Sequence, residues 1–205
     1  MLRRLGGHPA LDFINTIDPR EGERRVEHLR SFGDLIDWAQ AAGVLKRAEA
    51  REAAQEAAGD ERAAARALER AIALREAIHA IFVAFVTRRS PAAGAMDELE
   101  AAFQQAMAHA RLARKASAFH WQLDGGLDSV RWHLARDAVA LLESDRLGRV
   151  KRCPGSGDCG WLFLDASKNG SRRGCSMAGC GNCAKLRRFR RRHARPAPPP
   201  VIPRR

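Results

Sequence analysis

Apolar positions recur at three- and four-residue steps over most of the first 148 residues, the spacing that builds one buried stripe along an α-helix. The longest such run spans residues 60 to about 88, with Leu68, Ile72, Ile78, Ile81, Phe82 and Phe85 on the inward side. Ser31 with Asp34 supplies an N-cap and a first-turn acid ahead of LIDWAQAAG, and Gly43 is the expected stop. Residues 47–58 are rich in Ala, Glu and Arg and thin in apolar side chains, which predicts a surface helix. Ser90-Pro91 opens a further helix over about 91–107, with Leu99, Phe103 and Met107 inward. Residues 111–123 alternate loosely through Leu112, Phe119, Trp121 and Leu123 before Asp124-Gly125-Gly126, which predicts a short hairpin. Helical spacing returns over 130–142. The expected fold of residues 1–148 is therefore mainly α with one short β-hairpin.

The pattern changes after residue 148. All five cysteines lie in this part, Cys153 and Cys159 flanking CPGSGDC and Cys175 and Cys180 flanking CSMAGC. Two thiol pairs with loop-forming spacers suit one tetrahedral ion with no open position, a structural zinc site with one Zn²⁺ per chain. The intervening GWLFLDASKNGSRRG is long enough for a hairpin, with Trp161-Leu162-Phe163-Leu164 as an apolar strand and Lys168-Asn169-Gly170 as its reversing turn. Residues 149–152 read as a short link. Cys183 follows Cys180 by three residues and competes with it as a ligand or stands by as a spectator thiol. Disulfides would need an oxidising compartment, five cysteines leave one unpaired, and residues 1–13 hold no apolar signal core, so a cytoplasmic protein is expected.

Charge divides the chain at the same point. Residues 149–205 carry 15 Lys/Arg against Asp158 and Asp165 alone, a balance of +13, whereas residues 1–148 carry 21 basic and 22 acidic groups. A polyanionic partner for the C-terminal part follows. The segment KLRRFRRRH places Lys185, Arg187, Arg188, Arg190, Arg191 and Arg192 directly after the last ligand, with Leu186 and Phe189 turned back onto Trp161 and Phe163. A helix this basic favours phosphate contact over base reading. Arg172 and Arg173, beside the third ligand, are candidates for holding a fixed orientation toward nucleic acid. No apolar run is long enough to span a membrane. The tail from residue 194 is Pro-rich and reads as extended.

No catalytic constellation stands out: six histidines are scattered through residues 1–148 with no HExxH, GxSxG or phosphate loop, so no enzyme is expected. The opening GGHPALDFINTID instead sets Asp12, Asn15 and Thr16 within an apolar run. Such polar groups either fasten backbone or line a ligand pocket.

CGWLFLDASKNGSRRGCSMAGCGN together with GHPALDFINT resembles the bacterial CGNR zinc-finger proteins with an N-terminal ABATE domain, described as a "putative stress-induced transcription regulator". The resemblance runs from about residue 7 to 192. It implies zinc on Cys153, Cys159, Cys175 and Cys180, DNA binding by the finger, and a helical domain that senses a small-molecule effector or makes homodimer contacts. Two positions depart from the pattern: Cys183 stands at the signature's final Arg and Gly174 at its usual Trp. The expected organisation is a helical domain over 1–148, able to fold alone, a treble-clef-like finger over 149–193 and a tail over 194–205. The leading expectation is a regulator that binds double-stranded DNA. An RNA- or ribosome-associated zinc protein and a redox or metal switch using Cys183 are the alternatives.

Overall fold

The computed structural model describes residues 4–123, 125–155, 159–176 and Cys180. Its helices are α1 (Pro9–Ile14), α2 (Phe32–Ala41), α3 (Arg47–Gly59), α4 (Glu61–Val86), α5 (Ala93–Ala108) and α6 (Ser129–Leu142). Three antiparallel pairs join them: β1 (Ile17–Asp18) with β2 (Val26–Glu27), β3 (Ala110–Lys115) with β4 (Ala118–Leu123), and β5 (Val150–Arg152) with β6 (Leu162–Leu164). The fold is mainly α with short hairpins, as the hydrophobic pattern predicts. Among the described residues no helix is long and apolar enough to cross a membrane.

Local chemistry sets the helix ends. The Ser31 hydroxyl accepts the Asp34 N–H and the Asp34 carboxylate accepts the Ser31 N–H, both at 3.0 Å, closing a capping box on α2. Asp60 accepts the Ala63 N–H at 2.8 Å and starts α4. That helix stops where Thr87 donates its hydroxyl back to the Val83 carbonyl and Arg88 turns left-handed at φ 57°. Helix α5 begins later than expected, because residues 88–92 are used to reverse the chain and Ser90-Pro91 lies in that connection rather than in a cap.

Helix α4 is the central element, packing against α1, α2, α3, α5 and α6. Its buried face is drawn largely by Ala64, Ala67 and Ala71, then Leu74, Ile78, Ile81 and Phe82. Alanines let neighbouring helices approach closely, and a reading keyed to large side chains passes over them. Phe85, expected inward, is 42% exposed, and Ile72, Phe103 and Met107 are only half-buried. The buried face of α5 is Leu99, Ala102 and Ala106.

Arg75 and Arg20 anchor a network of buried charge at α4. Arg75, 1% exposed, donates to Glu27, Glu76 and the Thr16 hydroxyl, while Arg20 donates to Glu76 and the Ile14 carbonyl. His79 on α4 lies near Arg20, Arg25 and Arg152; burial first, then these cations, pull its pKa down to about 4. The unfolded chain, with an ordinary histidine near 6.5, therefore takes up a proton before the folded one does. Stability is full above pH 6.5 and falls as pH drops toward 4, by on the order of 2–3 kcal/mol from this group. In His79→Gln the urea midpoint should change less between pH 7 and 4.5 than in the parent. An equal pH response in both would exclude this role.

Candidate metal centre

Strand β6 is the structural hinge between the helices and the cysteines. Its side chains alternate, as strand geometry requires: Leu162 and Leu164 join the helical core with Val150, while Trp161 and Phe163 pack with Cys153, Cys159 and Cys175. Its partner is β5, with Val150 opposite Leu164 and Arg152 opposite Leu162. The expected link at 149–152 is thus a strand, and the hairpin runs through the first cysteine pair rather than between the two pairs. The Lys168-Asn169-Gly170 turn does form, with Gly170 at φ 60° and its N–H on the Ser167 carbonyl, but among the described residues no strand follows it.

The turn between β5 and β6 carries two of the clustered cysteines, Cys153 and Cys159. Cys153 donates its N–H to the Trp161 carbonyl at 2.7 Å, which brings Cys159 back over it. Gly155 makes this possible: φ is 46°, and a Cβ there would lie 2.4 Å from the Cys159 Cβ. The second pair arrives on the loop after β6. All four Sγ atoms of Cys153, Cys159, Cys175 and Cys180 lie within 4.8 Å of one another. Cys159 to Cys175 is 3.7 Å and Cys175 to Cys180 is 3.6 Å, far too long for disulfides. Zn–S bonds of ~2.3 Å in a tetrahedron put sulfurs about 3.8 Å apart, so the donor set already has the dimensions of such a site.

Electrostatics agrees. Hydrogen bonds from the Cys159 and Cys175 thiols hold the Cys153 thiol far below its ordinary value, down to about 2. That thiolate in turn pushes Cys159 up to about 12 and Cys175 up as well. Mutual repulsion opposes ionisation of neighbouring thiols, and a divalent cation at their centre would offset it. The Cys175 N–H, 3.3 Å from the Cys153 sulfur, adds a donor to that thiolate.

Arg172 completes the support. Its guanidinium donates to the carbonyls of Gly174, Leu164, Leu5 and Cys175 and lies 4.5 Å from the Phe163 ring centroid. Through these four carbonyl contacts it fastens the loop that carries Cys175. Arg173 is exposed. Asp165, fully buried, is a residue that pattern reading passes over. It accepts from Lys151 Nζ at 2.6 Å, from the N–H and hydroxyl of Ser167 and from the Arg172 N–H. Lys151, then Ser167, hold its carboxyl well below the usual carboxylate range. The signal was there: it is one of only two acids among fifteen cations.

Asp12, Asn15 and Thr16 fasten the fold. Asp12 accepts the Gly6 N–H at 2.7 Å, and Thr16 donates to the Phe13 carbonyl while accepting from Arg75. Asn15 clamps β6 from both sides of one residue, donating to the Leu162 carbonyl at 2.8 Å and accepting its N–H at 3.1 Å. Leu164 N–H to the Gly6 carbonyl, Arg20 N–H to the Cys159 carbonyl and Trp161 Nε1 to the Ile17 carbonyl extend this seam. An open cavity of about 500 Å³ lies elsewhere, between α2, α3 and α4, over Phe32, Ile36, Leu68 and several alanines. Cys183 and the segment from Lys185 to Arg192 lie outside the described residues.

A helical domain is fastened by backbone-directed polar side chains to four clustered cysteines that suit a metal site, and a cation-rich sequence follows the last of them. The comparisons assign it: residues 7–145 match the ABATE family, described as "putative stress-induced transcription regulator", and residues 149–193 match the CGNR zinc finger. The chain belongs to the ABATE family and carries a CGNR zinc finger. No curated protein matches it.

Proposed function

We propose that this chain is a non-enzymatic transcription regulator that binds double-stranded DNA through a treble-clef-like finger built on one Zn²⁺ held by Cys153, Cys159, Cys175 and Cys180. The observation that carries this reading is the thiol cluster of zinc dimensions at the foot of the basic segment. A metal-anchored ligand at Cys180 gives that segment a fixed starting point, and Lys185, Arg187, Arg188, Arg190, Arg191 and Arg192 then meet phosphates, with exposed Arg173 as a further candidate. Burial of Trp161 and Phe163 withdraws two aromatic rings that an RNA-binding finger would use for stacking. The cavity between α2, α3 and α4 is where an effector of the helical domain would sit. Its volume is in the range of small-molecule sites, roughly 300–1,000 Å³.

Phosphate contact makes binding steeply salt-dependent, each neutralised phosphate adding about −0.9 to the slope of log K against log salt on duplex DNA. Arg188→Ala should weaken binding similarly across sequences and flatten that slope by about one. Anisotropy titrations of duplex DNA and of RNA at several salt concentrations measure this. An unchanged slope after removal of all six charges, or tighter binding to RNA than to duplex, would overturn the reading. A Cys183→Ala chain that no longer responds to oxidant, with DNA binding otherwise intact, would instead support the switch.

A further inference from the structure

The hairpin β3–β4 is the part of the helical domain that the finger reading leaves unused. Six residues of each strand pair in full register, from Ala110 opposite Leu123 to Lys115 opposite Ala118. Its base is packed: Leu123 is buried with Ala106 and Trp132, and His109 stacks on Trp132 at 4.4 Å. Farther out, one face sets Leu112 opposite Trp121 and Arg114 opposite Phe119, and the three apolar side chains are 58%, 44% and 67% exposed respectively. Contiguous exposed apolar side chains of this size mark an interaction surface.

Charge selects the partner. None of the chain's 24 carboxylates falls between Glu100 and Asp124, while Arg111 and Arg114 are both exposed there. Arg111 pairs with Gln122 on one face and Arg114 stands near the tip on the other, so cations flank the ribbon on both sides. A second copy of the same ribbon would bring like charges together. Three side chains at these exposures also offer at most a few hundred Å², short of the ~800 Å² each partner gives a stable complex. A polyanion removes both objections, since its affinity comes from charge and needs little apolar area.

The geometry points to the β3–β4 ribbon as a second contact with duplex DNA, on the same molecule that the finger holds. A two-stranded ribbon has the width that the major groove admits, and apolar side chains such as phenylalanine rest there against thymine methyl groups. The ribbon adjoins the start of α6 and the finger's β5 follows its end, with α6 running 14 residues between them. At 1.5 Å per residue α6 is about 21 Å long, about the length of six base pairs and a distance well within the reach of one duplex. This inference rests on the reading of the finger as a duplex binder.

The test uses the full chain with zinc bound and a 30-base-pair fluorescent duplex. Arg111→Ala with Arg114→Ala should lower affinity about tenfold near physiological salt and flatten the salt slope by nearly two, since two phosphates are lost at ~0.9 each. Phe119→Ser with Trp121→Ser should lower affinity with the slope kept. Both changes are on an exposed ribbon, and a parental circular dichroism melt confirms that each variant folds. Parental affinity in both variants, alongside loss in the Arg188→Ala chain, overturns the ribbon contact and leaves the finger reading standing. Failure of the parent to bind duplex at all removes both. Loss confined to a single-stranded RNA probe, or a parental dimer that Phe119→Ser with Trp121→Ser splits while duplex affinity is kept, reassigns the face and also overturns the proposal.

Discussion

Replacing Cys175 with alanine is expected to abolish metal binding and, with it, binding to nucleic acid. Its sulfur lies 3.7 Å from that of Cys159 and 3.6 Å from that of Cys180, and its N–H supports the Cys153 thiolate, so one change removes a ligand and loosens two others. Structural zinc contributes about 10–16 kcal/mol of apparent binding energy in small fingers, which three thiolates with an open corner do not recover. The damage should pass beyond the finger. Trp161 and Phe163 pack against the cysteines on one face of β6 while Leu162 and Leu164 pack into the helical core on the other. A released metal therefore frees one face of a strand whose other face closes that core, and the thermal transition of the whole chain should fall. Elemental analysis should find one zinc per parent chain, none in Cys175→Ala and full occupancy in Cys183→Ala. Zinc retained in Cys175→Ala and lost in Cys183→Ala would sink the ligand set.

Much of this was legible beforehand because it is written in local chemistry. Ser31 and Asp34 spell a cap, Asp60 starts the long helix, and the hairpin over β3 and β4 follows from an alternation ending at glycines. Cysteine spacing likewise picks out the four thiols that the fold brings together. What stayed hidden depends on partners distant in sequence. Nothing near Asn15 says that its amide will clamp Leu162, 147 residues on. Arg172 reads as one more cation until four carbonyls converge on it, and residues 149–152 read as a link until β6 supplies the other half of a ladder. The alternation in Trp161-Leu162-Phe163-Leu164 was visible, but that each face has its own core is a tertiary fact. Charge and composition divide the chain at residue 148, but they carry no information on whether the parts share an interior.

That shared interior leads to the second large effect: a chain ending at Gly148 should not fold to a stable, cooperative state. The near-neutral charge and long apolar stripe of residues 1–148 favour an independent domain, but the stripe is completed from outside. Val150, Leu162 and Leu164 are at most 4% exposed and belong to the cluster that contains Leu11, Phe13, Leu74 and Ile78. Burying a Val or Leu side chain contributes about 1.5–3 kcal/mol, so removing three costs about 5–9 kcal/mol. Asn15 would also lose both partners on Leu162, adding about 1–3 kcal/mol wherever it stays buried. Against a typical net stability of about 5–15 kcal/mol, these losses take most or all of it. The midpoint of thermal unfolding should fall by at least ~10–30 °C, with far-ultraviolet helicity outlasting near-ultraviolet signal. Asn15→Leu in the full chain separates the two contributions: it removes the clamp while the three apolar side chains remain, and its midpoint should fall by no more than about 10 °C. A chain ending at Gly148 that melts cooperatively at the parental midpoint would show that β5 and β6 lie against the helices without completing their core.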